Sequence, residues 1–232
     1  MQLTKTNIID NQEIVRAQQA FLSKVYSWMV AGLLITAFTA WFVYSNNYDL
    51  MLAGSSLFYV LIFAQLGLVL ALSGWANKMS SAVAGGTFIL YSLITGLTFS
   101  LIFRAFTEES IYSTFFIAAG MFGALSLYGY FTKKDLSGWR SFLFMGLVGI
   151  ILASIVNVFI NFSGLNFVIS VIGVIVFSGL TAFDTQKLKE MYAVQFEEGE
   201  VAAKASIVGA LVLYLDFINL FLFLLRFFGN RD

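Results

Sequence analysis

Apolar runs recur along this chain, each long enough to cross the roughly 30 Å hydrocarbon core of a bilayer as a helix of about 20 residues. They fall at roughly Val25–Tyr44, Leu52–Gly74, Ser81–Phe103, Ile111–Tyr130, Trp139–Ile160, Leu165–Phe183 and Ser206–Phe228. The runs are apolar all round, whereas the strands of a membrane barrel alternate polar and apolar positions. A helix pairs its own backbone groups inside hydrocarbon, where no water can do so. The pattern predicts an all-α integral membrane protein with seven transmembrane helices. Only 11% of the residues are charged, against about 25% in a soluble domain. The formal net charge is +0, so no global field points to nucleic acid.

The chain has no cysteine, histidine or proline. Disulfides, thiolate sites and the usual neutral-pH titrating group are therefore excluded, and proton-linked behaviour would fall to carboxylates. Residues 1–20 read as a polar N-terminal tail, disordered or forming a short surface helix around Glu13–Gln19, and 21–232 as a single helical membrane domain. The first apolar run starts too late for a cleavable signal peptide.

Lys and Arg set the orientation. With the N-terminus cytoplasmic, the inside holds Lys5, Arg16, Lys24, Lys78, Lys133, Lys134, Arg140, Lys187, Lys189 and Lys204. The outside holds Arg104, Arg226 and Arg231. A re-entrant last segment would bring Arg226 and Arg231 inside. A run of its length rises about 34 Å at 1.5 Å per residue, which favours crossing. The expected setting is the cell inner membrane, with the N-terminus cytoplasmic and a charged loop from Lys187 to Lys204 before the last span.

Small residues four apart allow membrane helices to approach closely. Gly32, Thr36 and Ala40 form such a seam in the first span, and Ser92, Gly96 and Ser100 in the third. Gly149, Ala153, Asn157 and Asn161 form another in the fifth. Gln65, alone in the second span, suits a single inter-helix hydrogen bond. Arg104, near a span end, can snorkel to the headgroups.

Two carboxylates stand out, Asp184 late in the sixth span and Asp216 inside the seventh. An acid at the centre of a membrane helix costs about 2.5–3.5 kcal/mol on insertion scales. Positions three and four apart share a helix face, which sets Ser178, Thr181, Asp184 and Thr185 on one stripe. Gly209, Asp216 and Asn219 form a second. Both stripes should face protein, and a short connection makes their helices neighbours. Two carboxylates in one dry site cannot both ionise cheaply and would share a proton. A second charge at higher pH would push the helices apart, so the pair reads as a gate. Each aspartate capping a helix end separately is the plainer alternative.

The elements Phe21-Leu22-Ser23-Lys24-Val25-Tyr26, Ser178-Gly179-Leu180-Thr181-Ala182-Phe183-Asp184-Thr185-Gln186 and Leu213-Tyr214-Leu215-Asp216-Phe217-Ile218-Asn219-Leu220-Phe221 resemble those of the Bax inhibitor family, over nearly the whole chain. The charged ending Arg226–Asp232 looks like that of a bacterial member. The resemblance implies a last helix that is central and surrounded by the other six. It also implies a pH-sensitive calcium leak with Asp184 and Asp216 as its sensor. Some members carry a basic latch in the second helix; here that span has no Lys or Arg. The latch is absent, replaced by a neutral residue such as Gln65, or supplied from elsewhere.

The expected function is therefore a non-enzymatic cation leak. Asp184 and Asp216 would hold calcium weakly and transiently, supported by Ser178, Thr181, Thr185, Asn219 and Gln65. No cofactor is expected, only calcium as the permeant ion. The expected partners are the lipid bilayer, calcium ions and a membrane protease or other membrane protein. The alternative is a non-transporting regulator of stress response or proteolysis, using the N-terminal tail and the acidic loop Glu197–Glu200. An intramembrane aspartyl protease is disfavoured, because no Gly-x-Gly-Asp element accompanies either aspartate.

Overall fold

The computed structural model describes the backbone of residues 2–195 and 199–231 and the side chains of 15–76, 78–191 and 199–231. Seven long helices dominate: α1 (Gln2–Ser45), α2 (Ser56–Trp75), α3 (Ser81–Phe99), α4 (Glu108–Phe131), α5 (Arg140–Ile160), α6 (Ser163–Gln195) and α7 (Glu200–Phe228). Among the described residues these seven are long and apolar enough to cross a membrane. The polar residues 2–20 are the beginning of α1. The expected charged loop from Lys187 is much shorter. Lys187, Lys189 and Glu190 lie on α6, and α7 starts at Glu200. Glu197 and Glu198 lie outside the described residues.

Local chemistry ends the helices where turns are needed. Ser80 and Thr107 cap α3 and α4, accepting from Val83 N and Ser110 N at 3.3 Å. Such caps satisfy backbone donors that a helix start leaves free. Asn47 and Asn161 take left-handed conformations, with φ of 58° and 53°, which asparagine tolerates better than most residues. Asn161 thereby stops α5 and turns the chain into α6.

The core runs along α7, which packs against α1, α2, α3, α4 and α6. The spanning window of α7 is 72% buried, against 6% for α2 and 17% for α5. The last helix is thus the central one. Its surround is uneven: α5 packs chiefly against α6, so the fifth span belongs to an outer layer. Tyr214 of α7 is fully buried and bonds Thr36 of α1 at 2.6 Å, and Thr36 donates to the Ser92 carbonyl of α3 at 2.9 Å. This chain of bonds sets the axial position of three helices at once.

The path of α7 distinguishes crossing from re-entry. At its start, Glu200 Oε1 accepts from Ser81 N at the beginning of α3 (3.2 Å). At its end, Asn230 O accepts from Thr107 N at 3.1 Å, and Asn230 N donates to Ser110 Oγ at 2.9 Å. The helix therefore runs unbroken from the near end of the bundle, where α3 begins, to the far end, where α3 turns into α4. At that far end Arg104 also ties two hairpins together. Its Nε donates to buried Asp49 at 2.6 Å and its Nη2 to Asn47 at 2.7 Å. Arg104 is thus held by a partner rather than free to snorkel.

Two of the expected seams are the packed ones: Gly32, Thr36 and Ala40, and Ser92, Gly96 and Ser100, are all buried. The α5 stripe is different. Of that stripe Asn157 is buried and Ala153 packs on the core, but Gly149 and Asn161 are exposed; α5 also buries Leu143 and Ile150, with Gly146 against Val176 of α6. Gly96 has no room for a side chain, since a Cβ there would stand 2.7 Å from the Thr36 carbonyl oxygen. Gly96→Val should lower stability by at least about 1–3 kcal/mol through overpacking. Thermal unfolding of the detergent-solubilised protein checks this, with Gly86→Ala, where nothing lies within 4 Å, as the control.

Candidate functional site

The Phe183-Asp184-Thr185-Gln186 element sits on a continuous helix, so successive side chains point about 100° apart. Each therefore meets a different neighbour. Phe183 is buried against Leu136 and Leu143. Thr185 is fully buried, with its hydroxyl 3.4 Å from both Tyr26 Oη of α1 and Ser126 Oγ of α4. Gln186 reaches the α4–α5 turn, accepting from Leu136 N at 2.8 Å and donating to Lys134 O at 2.9 Å. Asp135 in that turn accepts from Ser137 (2.8 Å to its amide), and the hydrogen bonds from Ser137 hold its carboxyl below the usual carboxylate range.

Asp184 turns toward α7, where its carboxylate meets that of Asp216. The two differ in access. Asp184 is half-buried and lines a cavity of about 530 Å³ at the near end. Asp216 is 4% exposed and does not line that cavity, and its buried Oδ2 has no hydrogen-bond partner among the described residues. An unpaired buried oxygen of this kind costs about 1–3 kcal/mol, more when charged. The cavity also meets Ser73 and Gly74 at the end of α2, Lys187 and Lys204. Beyond Asp216, Phe217, Leu220 and Leu224 fill the interior around α7, as Leu213 does one turn before it, all of them buried.

The supporting residues mostly stand apart from the pair. Ser178 and Thr181 donate to carbonyls of their own helix, at Val174 and at Phe177 (2.8 Å). Asn219 likewise bonds Leu215 O at 2.8 Å. Hydroxyl and amide groups in a helix commonly satisfy themselves this way. Gln65 donates to Thr98 of α3 at 3.2 Å, a single inter-helix bond, and to neither aspartate. Thr185 touches α1 and α4 instead. Two cations act on Asp184 that the second span could not supply: Lys187, one turn further along α6, and Arg140, at the start of α5. Sequence reasoning also missed Tyr26, Ser126 and the Gln186 clamp. The Gln186 position beside Asp184 was visible, but its partners lie some fifty residues away.

The fold and site thus define a seven-helix membrane protein with an acidic pair buried between its last two helices. Residues 18–232 match the profile of the family described as inhibitor of apoptosis-promoting Bax1. The chain is 52% identical over 216 residues to the inner membrane protein YbhL of Escherichia coli K12, covering 92% of each chain. It is 47% identical to an uncharacterized protein of Borreliella burgdorferi (96% of each chain) and 44% identical to one of Deinococcus radiodurans (95% of this chain, 98% of the relative). The chain belongs to the Bax inhibitor family.

Replacing Gln186 with alanine should strand two backbone groups of the α4–α5 turn. The expected cost is about 1–3 kcal/mol, read as a fall in the thermal unfolding midpoint of the purified protein.

Proposed function

We propose that this protein is a pH-sensitive cation leak of the bacterial inner membrane, with calcium as the permeant ion and the N-terminus cytoplasmic. The observation that carries the reading is the meeting of Asp184 and Asp216, one reachable from a cavity and the other sealed behind it. A proton shared by the pair gives the otherwise unpartnered Asp216 oxygen a hydrogen bond and leaves one net charge. Loss of that proton places two like charges between α6 and α7 and drives them apart. The doubly charged pair then attracts a divalent cation entering past Asp184. Calcium takes six to eight oxygen ligands, and two carboxylates offer four, so binding is weak and transient, as conduction requires. Lys187 and Arg140 take the part of a basic latch on Asp184. The setting agrees with the printed name of the Escherichia coli relative and with the ten-to-three distribution of Lys and Arg.

Calcium flux into proteoliposomes across pH tests this reading. The wild type should conduct more as pH rises. Asp184→Asn and Asp216→Asn should each flatten that dependence, since neither leaves two carboxylates to repel. Absence of flux, or a pH dependence unchanged in both variants, would overturn it.

The family description favours a second reading, a membrane regulator of another protein. Its handle would be residues 2–20, which extend α1 beyond its apolar stretch. Copurification of a partner that is lost on deleting this segment, together with absent flux, would select it.

A further inference from the structure

A second cavity of about 530 Å³ lies at the far end of the bundle, between the end of α5, the start of α6 and the end of α7. Its polar lining includes Asn157, Asn161, Ser163, Asn166, Arg226 and Arg231, and among the described residues no acidic one lines it. The two central amides are locked together: Asn157 Nδ2 donates to Asn166 Oδ1 at 2.7 Å, and Asn157 Oδ1 accepts from Phe162 N at 3.0 Å. These bonds occupy both amide oxygens. The Asn166 NH2 is left without a partner among the described residues.

Arg226 and Arg231 each lie over a ring, at 5.8 Å from Phe223 and 5.7 Å from Phe106. Among the described residues neither guanidinium has a carboxylate or hydrogen-bond acceptor, and each feels the other's charge. The first turn of α6, beginning at Ser163, adds the partial positive charge of a helix start. The cavity is thus rich in donors and positive charge, with no counter-charge among the described residues. A cation would be repelled here. An oxyanion would be met by the planar forks of two arginines, which match phosphate geometry.

The flanks say where that anion comes from. Val158, Phe167 and Phe227 share the cavity lining and are exposed, and Phe159 beside them is 84% exposed. These apolar surfaces belong to the outer side of α5, α6 and the end of α7, so the cavity opens toward acyl chains at headgroup depth. We propose that it binds the phosphodiester headgroup of a membrane lipid in the leaflet at the far end.

Native mass spectrometry of the detergent-purified protein tests this, titrating short-chain phosphatidylglycerol, short-chain diacylglycerol and inorganic phosphate. The wild type should retain phosphatidylglycerol in preference to diacylglycerol. Arg226→Gln and Arg231→Gln should each weaken retention roughly fivefold, the effect of one basic residue near a charged lipid surface. Should either arginine variant not fold, Asn166→Leu carries the same test and should likewise weaken retention of phosphatidylglycerol. Equal retention of diacylglycerol, or retention of phosphatidylglycerol unchanged in both single arginine variants, overturns the site. Inorganic phosphate binding as tightly as phosphatidylglycerol overturns the lipid source.

Discussion

A carboxylate inside a bilayer must be answered by protein, and α7 carries one on the most buried helix of the bundle. That demand accounts for much of the arrangement. The acid on α7 faces α6, where the second acid stands, while the opposite face of α7 presents Tyr214 to α1 and α3. The central helix is thereby bonded on one side and electrostatically strained on the other. Hydrophobic packing along Leu213, Phe217, Leu220 and Leu224 supplies the attraction that holds such a helix in place.

The four residues Phe183 to Gln186 show how a short motif can serve several layers. A helix sends successive side chains in different directions, so one stretch anchors α5, meets α7, touches α1 and α4, and clamps the α4–α5 turn. The position of Asp184 is set by three flanking residues whose side chains are engaged elsewhere. Ser178 and Thr181, further back along the same stripe, are engaged differently. They satisfy themselves on their own helix, and the placement is done by residues immediately beside the acid.

The spans were legible because a bilayer imposes length and composition on every one of them. The aspartate pairing was legible too, because a short connection between two helices leaves few alternatives. The α5 stripe misled because small residues mark a close approach only where another helix is present. α5 lies in the outer layer, and its partner α6 selects Gly146 and Ile150 rather than Gly149. The Arg104–Asp49 pair and the Gln186 clamp join residues about fifty positions apart. Local spacing carries no trace of such contacts. The length of the α6–α7 turn was misjudged for a simpler reason: charged residues continue a helix as readily as they form a loop once it has left the hydrocarbon.

The two rims of the bundle are fastened differently. At the far rim, Arg104 joins two hairpins and Asn230 fastens the end of α7 to the start of α4. At the near rim, a cavity of about 530 Å³ lies between the ends of α2 and α6 and the start of α7, and α2 is the least buried of the seven spans. The near rim is fastened as well, by Glu200 on Ser81 and by Gln186 on the α4–α5 turn, and α2 packs chiefly on α3. The thinly covered α2 is thus the one stave that could lean outward beside Asp184 while the rest of the frame keeps its fastenings.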